Sequence, residues 1–191
     1  MRKASSPNTV RIIGGEHRSR RVRFASREGL RPTPDRVRET LFNWLNFDVP
    51  GARCLDLFAG SGVLGFEAAS RGAAQVDLVE RDPVSQGLLR EAVHELRLEA
   101  RVRVHGEDAL SFLARPCSTP YAVVFLDPPY ALDILEPVLQ RLHAGGWVSP
   151  GGAVYFEQPE TRALPALPEG WTLARSRKAG EVGYHLARFS G

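Results

Sequence analysis

The feature that most constrains the fold is a regular alternation, from Arg53 onward, of short apolar segments with helical ones. Segments such as CLDLF, QVDLVE, VRVHG, YAVVFL and AVYFEQ have the length and the Val, Leu and Phe content of buried strands. Segments with helical periodicity, such as VLGFEAASR and VSQGLLREAVHEL, lie between them. Because strands joined through helices run parallel and need cover on both faces, the pattern predicts an α/β domain with a doubly wound, mostly parallel sheet.

The two ends of the chain break this alternation. WTLARSRKAG and YHLARF have no helix between them, which predicts an antiparallel C-terminal hairpin and brings the predicted sheet to seven strands. TVRII and RRVRF alternate polar and apolar residues around Gly14-Gly15, which predicts a small N-terminal β-hairpin. RPTPDRVRETLFNWL then predicts a helix with Thr33 as its N-cap. We therefore divide the chain into an arm, residues 1–32, and a main domain, residues 33–191.

Charge is unevenly distributed along the chain. The net charge is only +3, but residues 1–38 hold eleven lysines and arginines against three acids, and ten of the eleven are arginine. Arginine suits bidentate phosphate contacts, so the arm is predicted to bind a polyanion, and a solvated charged face is the alternative. Two of the arginines, Arg36 and Arg38, lie near the N-terminus of the predicted helix, where their positive charge opposes the helix dipole. A bound phosphate would offset this unfavourable interaction. The candidate RNA-binding residues are Arg11, Arg18, Arg20, Arg21, Arg31, Arg36 and Arg38.

Other function classes have no support in the sequence. No apolar run approaches the ~18 residues of a membrane span, and no apolar segment follows the basic start, so we expect a cytoplasmic protein without a membrane partner. Cys54 and Cys117 lie far apart without a CxxC pair, and the five histidines are scattered. No metal site is therefore predicted.

The loops that follow the strands carry the chemistry-bearing residues. In a doubly wound sheet, ligands bind beyond the carboxyl ends of the strands. An acid follows or ends each of the first four strands of the main domain, and these acids are Asp56, Glu80, Asp108 and Asp127. We therefore expect the site at this edge of the sheet.

The first loop contains GxGxxG at residues 60–65, and Glu80 follows Gly60 by 20 residues. This pattern is typical of dinucleotide sites, but Asp56 would repel a pyrophosphate and no His or Lys is placed for hydride transfer. A cationic cofactor with an adenosyl ribose and no phosphate fits better, and S-adenosylmethionine is such a molecule. Glu80 is expected at the ribose hydroxyls, and Asp108 either at the adenine amino group or as a helix cap. The candidate cofactor-binding residues are Asp56, Phe58, Gly60, Gly62, Glu80, Arg81, Asp108 and Ala109.

Asp127-Pro128-Pro129-Tyr130 follows the most apolar strand. An exocyclic amino group of a nucleobase is a poor nucleophile, because its lone pair is delocalised into the ring. The Asp127 carboxylate and the Pro128 carbonyl can accept its two N–H bonds, and Tyr130 can stack on the base. These three are the candidate catalytic residues. The alternative is structural, since prolines end strands and a nearby ring packs.

The motifs DLFAGSGVLG, LVERD, GEDAL and FLDPPY resemble those of S-adenosylmethionine-dependent amino-methyltransferases with a Rossmann-like fold. RIIGGEHRSRRVRF and LRPTPDRVRETLFNWL resemble the N-terminal signature of the RsmD family, the small-subunit ribosomal RNA (guanine-N2)-methyltransferases. The resemblance covers nearly the whole chain. The chain departs from the family pattern at Ser19, where members often have glycine.

This resemblance implies methylation of one guanine N2 in 16S rRNA, on an assembling or assembled small subunit, with Asp127, Pro128 and Tyr130 at the amino group. It also implies that the arm arginines hold the RNA. We expect a monomer without an obligate protein partner. Three alternatives stay open: an adenine-N6 or other amino-methyltransferase acting on RNA or DNA, a protein glutamine methyltransferase, and a non-catalytic RNA-binding ribosome-assembly factor.

Overall fold

The computed structural model describes residues 8–25 and 32–191. In these ranges the chain forms nine strands and five helices in an alternating order. They are β1 (Asn8–Arg11), β2 (Arg21–Phe24), α1 (Asp35–Trp44), β3 (Arg53–Asp56), α2 (Val63–Ser70), β4 (Gln75–Val79), α3 (Pro83–Glu95), β5 (Val102–His105), α4 (Ala109–Leu113), β6 (Tyr121–Leu126), α5 (Leu135–Ala144), β7 (Val148–Pro159), β8 (Trp171–Ala179) and β9 (Val182–Phe189).

The main sheet has seven strands in the order β5-β4-β3-β6-β7-β9-β8. The first five strands of this order run parallel, whereas β9 is antiparallel to both β7 and β8. The predicted α/β class, strand count and C-terminal hairpin are therefore confirmed. Chain order reverses between β3 and β6, which is the position where such sheets open a ligand crevice.

Two hydrophobic clusters pack on opposite faces of the sheet, as the predicted doubly wound arrangement requires. One contains Leu41 of α1, Phe66 of α2 and Leu89 of α3. The other contains Phe112 of α4 and Leu139 of α5. Strand residues alternate between the two clusters because successive side chains of a strand point to opposite faces.

The arm hairpin packs against the same core as the first three helices. Ile12 and Val22 are buried in that cluster. The loop between β1 and β2 reaches the C-terminal end of α2, where the Glu16 and His17 amides donate to the Ser70 carbonyl (2.8 Å) and Oγ (2.9 Å). Ser19 in this loop has φ +70°, a conformation that favours glycine. The domain boundary at residue 32 stays a prediction, because residues 26–31 lie outside the described ranges.

The start of α1 differs from the prediction. Pro34 occupies the N-cap position without a side-chain cap, and the helix begins at Asp35. The Thr33 hydroxyl does not cap the helix, because it donates to Oε1 of Glu157 at 2.9 Å across the core. Thr33 as N-cap was therefore wrong. Within residues 8–25 and 32–191, no helix has the length and apolar character needed to cross a membrane.

Candidate active site

Asp127 follows β6 at the switch point of the sheet, and its nearest charged neighbours are other carboxylates. Leu126 pairs with Phe156 of β7, so Asp127 and Glu157 are adjacent in register and point to the same face. Burial, followed by the charges of Glu157 and Asp56, raises the pKa of Asp127 well above its usual value of 3.8. The carboxyl groups of Asp56, Asp127 and Glu157 therefore lie close enough for their charges to interact.

Sequence reasoning missed Glu157. Its side chain is buried, and its Oε1 accepts from the hydroxyls of Thr33 (2.9 Å) and Tyr155 (2.8 Å). The signal was an acid ending the apolar run AVYFEQ, which is the same signal that identified Asp127. A buried carboxyl group costs free energy unless it is hydrogen-bonded, and the hydroxyls of Thr33 and Tyr155 supply these bonds.

The turn between β3 and α2, residues 57–62, brings backbone close to the site, and we call it the glycine turn. Gly62, at the start of α2, has φ +73°, a backbone conformation that favours glycine. At Gly65, an added Cβ would lie 2.2 Å from Cδ2 of Leu78, so glycine allows α2 to pack closely against the sheet. Oδ2 of Asp56 accepts from the Gly65 amide at 3.1 Å. Burial and the charge of Glu80 outweigh this bond and raise the pKa of Asp56 from 3.8 to about 7.

Glu80, the residue that follows β4, orients the same turn. Its Oε2 accepts from the Gly60 amide at 2.9 Å, and its Oε1 accepts from the Asp82 amide at 2.8 Å. Each carboxylate oxygen has a second lone pair, so both can also accept from hydroxyls of a ligand. The two amides hold the carboxylate still, which lowers the entropy cost of binding.

A pocket connects the glycine turn to Asp127. Its lining consists of Pro32, Thr33, Asp56, Phe58, Ala59, Gly60, Ser61, Val63, Leu64 and Asp127. Asp127 has no ion pair within the described ranges, so the carboxyl group is not locked away from a substrate. The pocket brings one predicted catalytic residue together with three predicted cofactor-binding residues, Asp56, Phe58 and Gly60.

The charge balance of this site fits a cationic ligand. Asp56, Glu80, Asp127 and Glu157 lie at one edge of the sheet, and no lysine or arginine from residues 8–25 or 32–191 pairs with any of them. Buried carboxylates need a compensating charge or a proton. The positive sulfonium of S-adenosylmethionine would supply that charge without a phosphate to be repelled.

The remaining candidate cofactor and catalytic residues are not part of the pocket lining. Asp108 caps α4, with Oδ1 accepting from the Leu110 amide at 2.9 Å, and the residue remains exposed. Ala109 is buried in the core, so it can contact a ligand only through its main chain. Arg81 is exposed, Pro128 is buried, and Tyr130 is 38% exposed beside Asp127.

Most of the candidate RNA-binding arginines are exposed, but Arg38 is not. Its side chain is 0% exposed and pairs with Glu67 at 2.6 Å, so it cannot reach a phosphate, and its assignment to RNA binding was wrong. The unfavourable position of this positive charge near the N-terminus of α1 is compensated by ion pairs with Glu67 and Asp35 rather than by a ligand. Arg11 pairs with Asp35 at 2.7 Å and stays exposed. Arg18, Arg20, Arg21 and Arg36 are exposed. Arg31 lies outside the described residues.

A seven-stranded sheet of this topology, with acids and a glycine turn at its switch point, defines the class of Rossmann-like S-adenosylmethionine-dependent methyltransferases. The model of the family described as "Conserved hypothetical protein 95" matches residues 10–188. The chain belongs to the family of ribosomal RNA small subunit methyltransferase D.

Three relatives illustrate the similarity. The chain is 45% identical over 184 residues to ribosomal RNA small subunit methyltransferase D of Escherichia coli strain K12, covering 95% of this chain and 91% of that protein. It is 40% identical over 191 residues to the Haemophilus influenzae protein of the same name, covering 97% and 98%. A solved Escherichia coli structure has a TM-score of 0.88 at 39% identity, and the match covers 96% of this chain and 99% of that chain.

Proposed function

We propose that this protein transfers a methyl group from S-adenosylmethionine to the exocyclic N2 of one guanine in 16S rRNA of the small ribosomal subunit. The observation that carries this proposal is the pocket that joins Asp127 to the glycine turn, within a chain that belongs to the methyltransferase D family. The names of the relatives support the choice of ribosomal RNA as substrate.

The cofactor site is built from carboxylates and the glycine turn. We assign the ribose hydroxyls to Glu80, which the Gly60 and Asp82 amides hold in place. Asp108 is assigned to the adenine, through the carboxylate oxygen that does not cap α4. The bound cofactor supplies an electrophilic methyl group on a positively charged sulfur.

Asp127 and the proline loop orient the amino group. The Asp127 carboxylate and the Pro128 carbonyl accept its N–H bonds, which aims the nitrogen lone pair at the methyl group and makes the nitrogen more tetrahedral. A nearby positive charge favours the ionised form of Asp127, which is the form that accepts a hydrogen bond. Tyr130, which is 38% exposed, stacks on the base.

The proton becomes acidic only as the bond between nitrogen and methyl forms. Asp127 is the acceptor in direct contact with that N–H, and Glu157 is adjacent in register and tied to Thr33 and Tyr155. We assign the proton to this carboxyl pair, in which one proton is readily shared because two negative charges repel. No covalent intermediate with the enzyme is involved.

The arm contributes to RNA binding through Arg11, Arg18, Arg20 and Arg21, and α1 contributes Arg36; all five arginines are exposed. The loop that bears Arg18 lies at the C-terminal end of α2, whereas Val63 at the other end lines the pocket. An RNA that contacts both spans at least the length of this eight-residue helix. We propose that the substrate is the assembling or assembled small subunit in the cytoplasm and that the enzyme acts as a monomer.

The decisive experiment identifies the product. The protein is incubated with S-adenosylmethionine labelled in its methyl group and with separate pools of unmethylated small subunits, naked 16S rRNA, DNA and protein. The proposal requires labelled N2-methylguanosine from small subunits or rRNA. Label in N6-methyladenosine, or in protein, would replace it with another amino-methyltransferase activity, and an absence of label from every pool would favour the non-catalytic assembly factor.

A further inference from the structure

A second pocket lies beyond the carboxyl end of β7, on the same side of the sheet as the loop that bears Asp127, and next to the C-terminal hairpin. It is lined by Gln158, Glu160, Arg162, Leu164, Ser176, Arg177, Lys178, Gly183 and His185, and we call it the edge pocket. Its residues come from the end of β7, the segment that follows, and strands β8 and β9. None of them belongs to the catalytic or cofactor residues assigned above.

The edge pocket carries positive charge at its rim. Three of its side chains are cationic, namely Arg162, Arg177 and Lys178, and only Glu160 is acidic. Glu160 pairs with Lys178 at 3.2 Å, and the lysine is still 71% exposed. Arg177 is exposed and has no acidic partner among residues 8–25 and 32–191. It pairs in register with Tyr184, so its side chain leaves this edge strand on the face opposite to Ser176 and Lys178. A rim with this excess of positive charge fits a polyanion.

The floor of the edge pocket is polar and only partly satisfied. Gln158 is 2% exposed and His185 is 7% exposed. The Gln158 amide donates to the carbonyls of Arg162 and Ala163, and Nδ1 of His185 bonds to Ser176 Oγ. Within the described part of the chain, Oε1 of Gln158 and Nε2 of His185 have no hydrogen-bond partner. Buried polar atoms rarely stay unpaired, so this floor retains hydrogen-bonding capacity for a polar ligand.

One arginine connects the edge pocket to the catalytic loop. Nη2 of Arg162 donates to the carbonyl of Tyr130 at 3.3 Å, and its Nη1 lies 3.3 Å from Asp133. Tyr130 is the residue that we assign to base stacking. A nucleotide next to a base stacked there would therefore lie beside Arg162.

Strand order determines the side from which RNA approaches. The glycine turn, Glu80 and Asp108 follow β3, β4 and β5, which lie on one side of β6. The edge pocket lies on the other side, beyond β7. Since the cofactor residues occupy the first side, RNA that flanks the target guanine is free to extend over the second.

We propose that the edge pocket binds the phosphate and sugar of a nucleotide that flanks the target guanine, so that the RNA is held on the side of Asp127 opposite the cofactor. This inference rests on the proposed function and adds an RNA contact outside the arm. Lys178 contacts phosphate on the face of β8 that lines the pocket, and Arg177 contacts phosphate on the opposite face of this edge strand. Arg162 positions the catalytic loop, and Gln158 and His185 face the sugar or the base.

The test uses Arg177→Ala and the double variant Arg177→Ala/Lys178→Ala, with Arg103→Ala as matched control. Arg103 is an exposed arginine of β5, the edge strand at the opposite end of the sheet. Binding of unmethylated small subunits is measured between about 50 and 200 mM salt, a range over which phosphate contacts are well resolved. The KM and kcat of methyl transfer are measured alongside.

We expect Arg177→Ala to weaken binding about fivefold and to reduce the salt slope by about 0.7 to 0.9, the change for one lost phosphate contact. Among the kinetic constants, KM is expected to change more than kcat, and the double variant should bind small subunits more weakly still. Arg103→Ala matches the unaltered protein. Equal affinities and slopes for all three variants would overturn the edge-pocket proposal, even if small subunits are methylated. Conversely, failure of the unaltered protein to methylate RNA would refute the proposed function, and the binding data would still decide the role of the pocket.

Discussion

Arg38 and Glu67 form an ion pair of 2.6 Å in which neither side chain is exposed to solvent. Arg38 also donates to the carbonyls of Arg11 (2.8 Å) and Thr33 (3.0 Å), and Glu67 accepts from the Ile13 amide at 2.6 Å. The pair therefore joins the arm to α1 and α2. The arm is held in place by buried polar contacts as well as by Ile12 and Val22.

Arg38→Ala is expected to destabilise the protein by about 3 to 5 kcal/mol, because it leaves a buried carboxylate without its main partner. Arg36→Ala, two residues earlier in the same helix, removes an exposed arginine and should change the free energy of unfolding by less than about 0.5 kcal/mol. Urea unfolding of both variants provides the comparison. Equal stabilities would contradict the structural role of Arg38.

Asp127→Ala is expected to lower kcat for methyl transfer by about 10² to 10³, the range seen when one oriented polar group is lost from an active site. Cofactor affinity should fall much less than kcat, because Glu80 and the glycine turn remain. Single-turnover kinetics and calorimetric titration with S-adenosylmethionine measure the two quantities separately. Turnover close to that of the unaltered protein would remove Asp127 from the reaction.

Glu157→Gln is expected to move the acid limb of the pH profile of kcat/KM to lower pH. The charge of Glu157 helps to raise the pKa of Asp127, so its removal lets Asp127 ionise at a lower pH. Glutamine keeps an oxygen that can accept from Thr33 and Tyr155. Methyl transfer is measured from about pH 5 to 9, with Glu169→Gln, an exposed position, as control. An unchanged pH profile would show that the charge of Glu157 does not affect the reaction.

Asp56→Asn is expected to stabilise the protein, and more so at pH 8 than at pH 5. Burial raises the pKa of Asp56 from 3.8 to about 7, so the folded protein keeps a proton that the unfolded chain has lost between those values. Stability due to Asp56 is therefore complete at low pH and decreases as pH rises through about 7.

Asparagine does not ionise and can still accept from the Gly65 amide. The gain over the unaltered protein should grow by roughly 2 to 3 kcal/mol between pH 5 and pH 8, as measured by urea unfolding. Asp133→Asn, at an 88% exposed side chain, should show no such growth. A gain that does not depend on pH would mean that Asp56 is ionised throughout this range.

Arg18→Ala, Arg20→Ala and Arg21→Ala are each expected to weaken binding to small subunits and to reduce the salt slope by about one unit or less. Arg23→Ala is the matched control, because Arg23 lies in the same hairpin but pairs with Glu91 at 3.1 Å and Glu95 at 2.9 Å. Filter binding at several salt concentrations gives the slopes. If all four variants keep the original slope, the hairpin does not contact the RNA.

The fold was predictable because its signals are local. Strand β6 was predicted at Tyr121–Leu126 and has these bounds, since a buried strand is a short apolar run between polar residues. The start of α1 was misjudged because Thr33 is a good N-cap in isolation, whereas its hydroxyl bonds to Glu157, 124 residues away. The assignments of the catalytic, cofactor and exposed arm residues stay predictions.

The sequence by itself determined the order of strands and helices, the acids that follow them and the family to which the chain belongs, because each depends on residues close together in the chain. Only the tertiary structure decided which charges are free. Arg36 and Arg38 look alike in sequence, yet one is exposed and the other is buried against Glu67. The local signal for Glu157, an acid that ends an apolar strand, does not say which group it meets; the pairing of β6 with β7 places it beside Asp127. Burial and pairing between distant segments set the charge state of a side chain, and no local pattern encodes them.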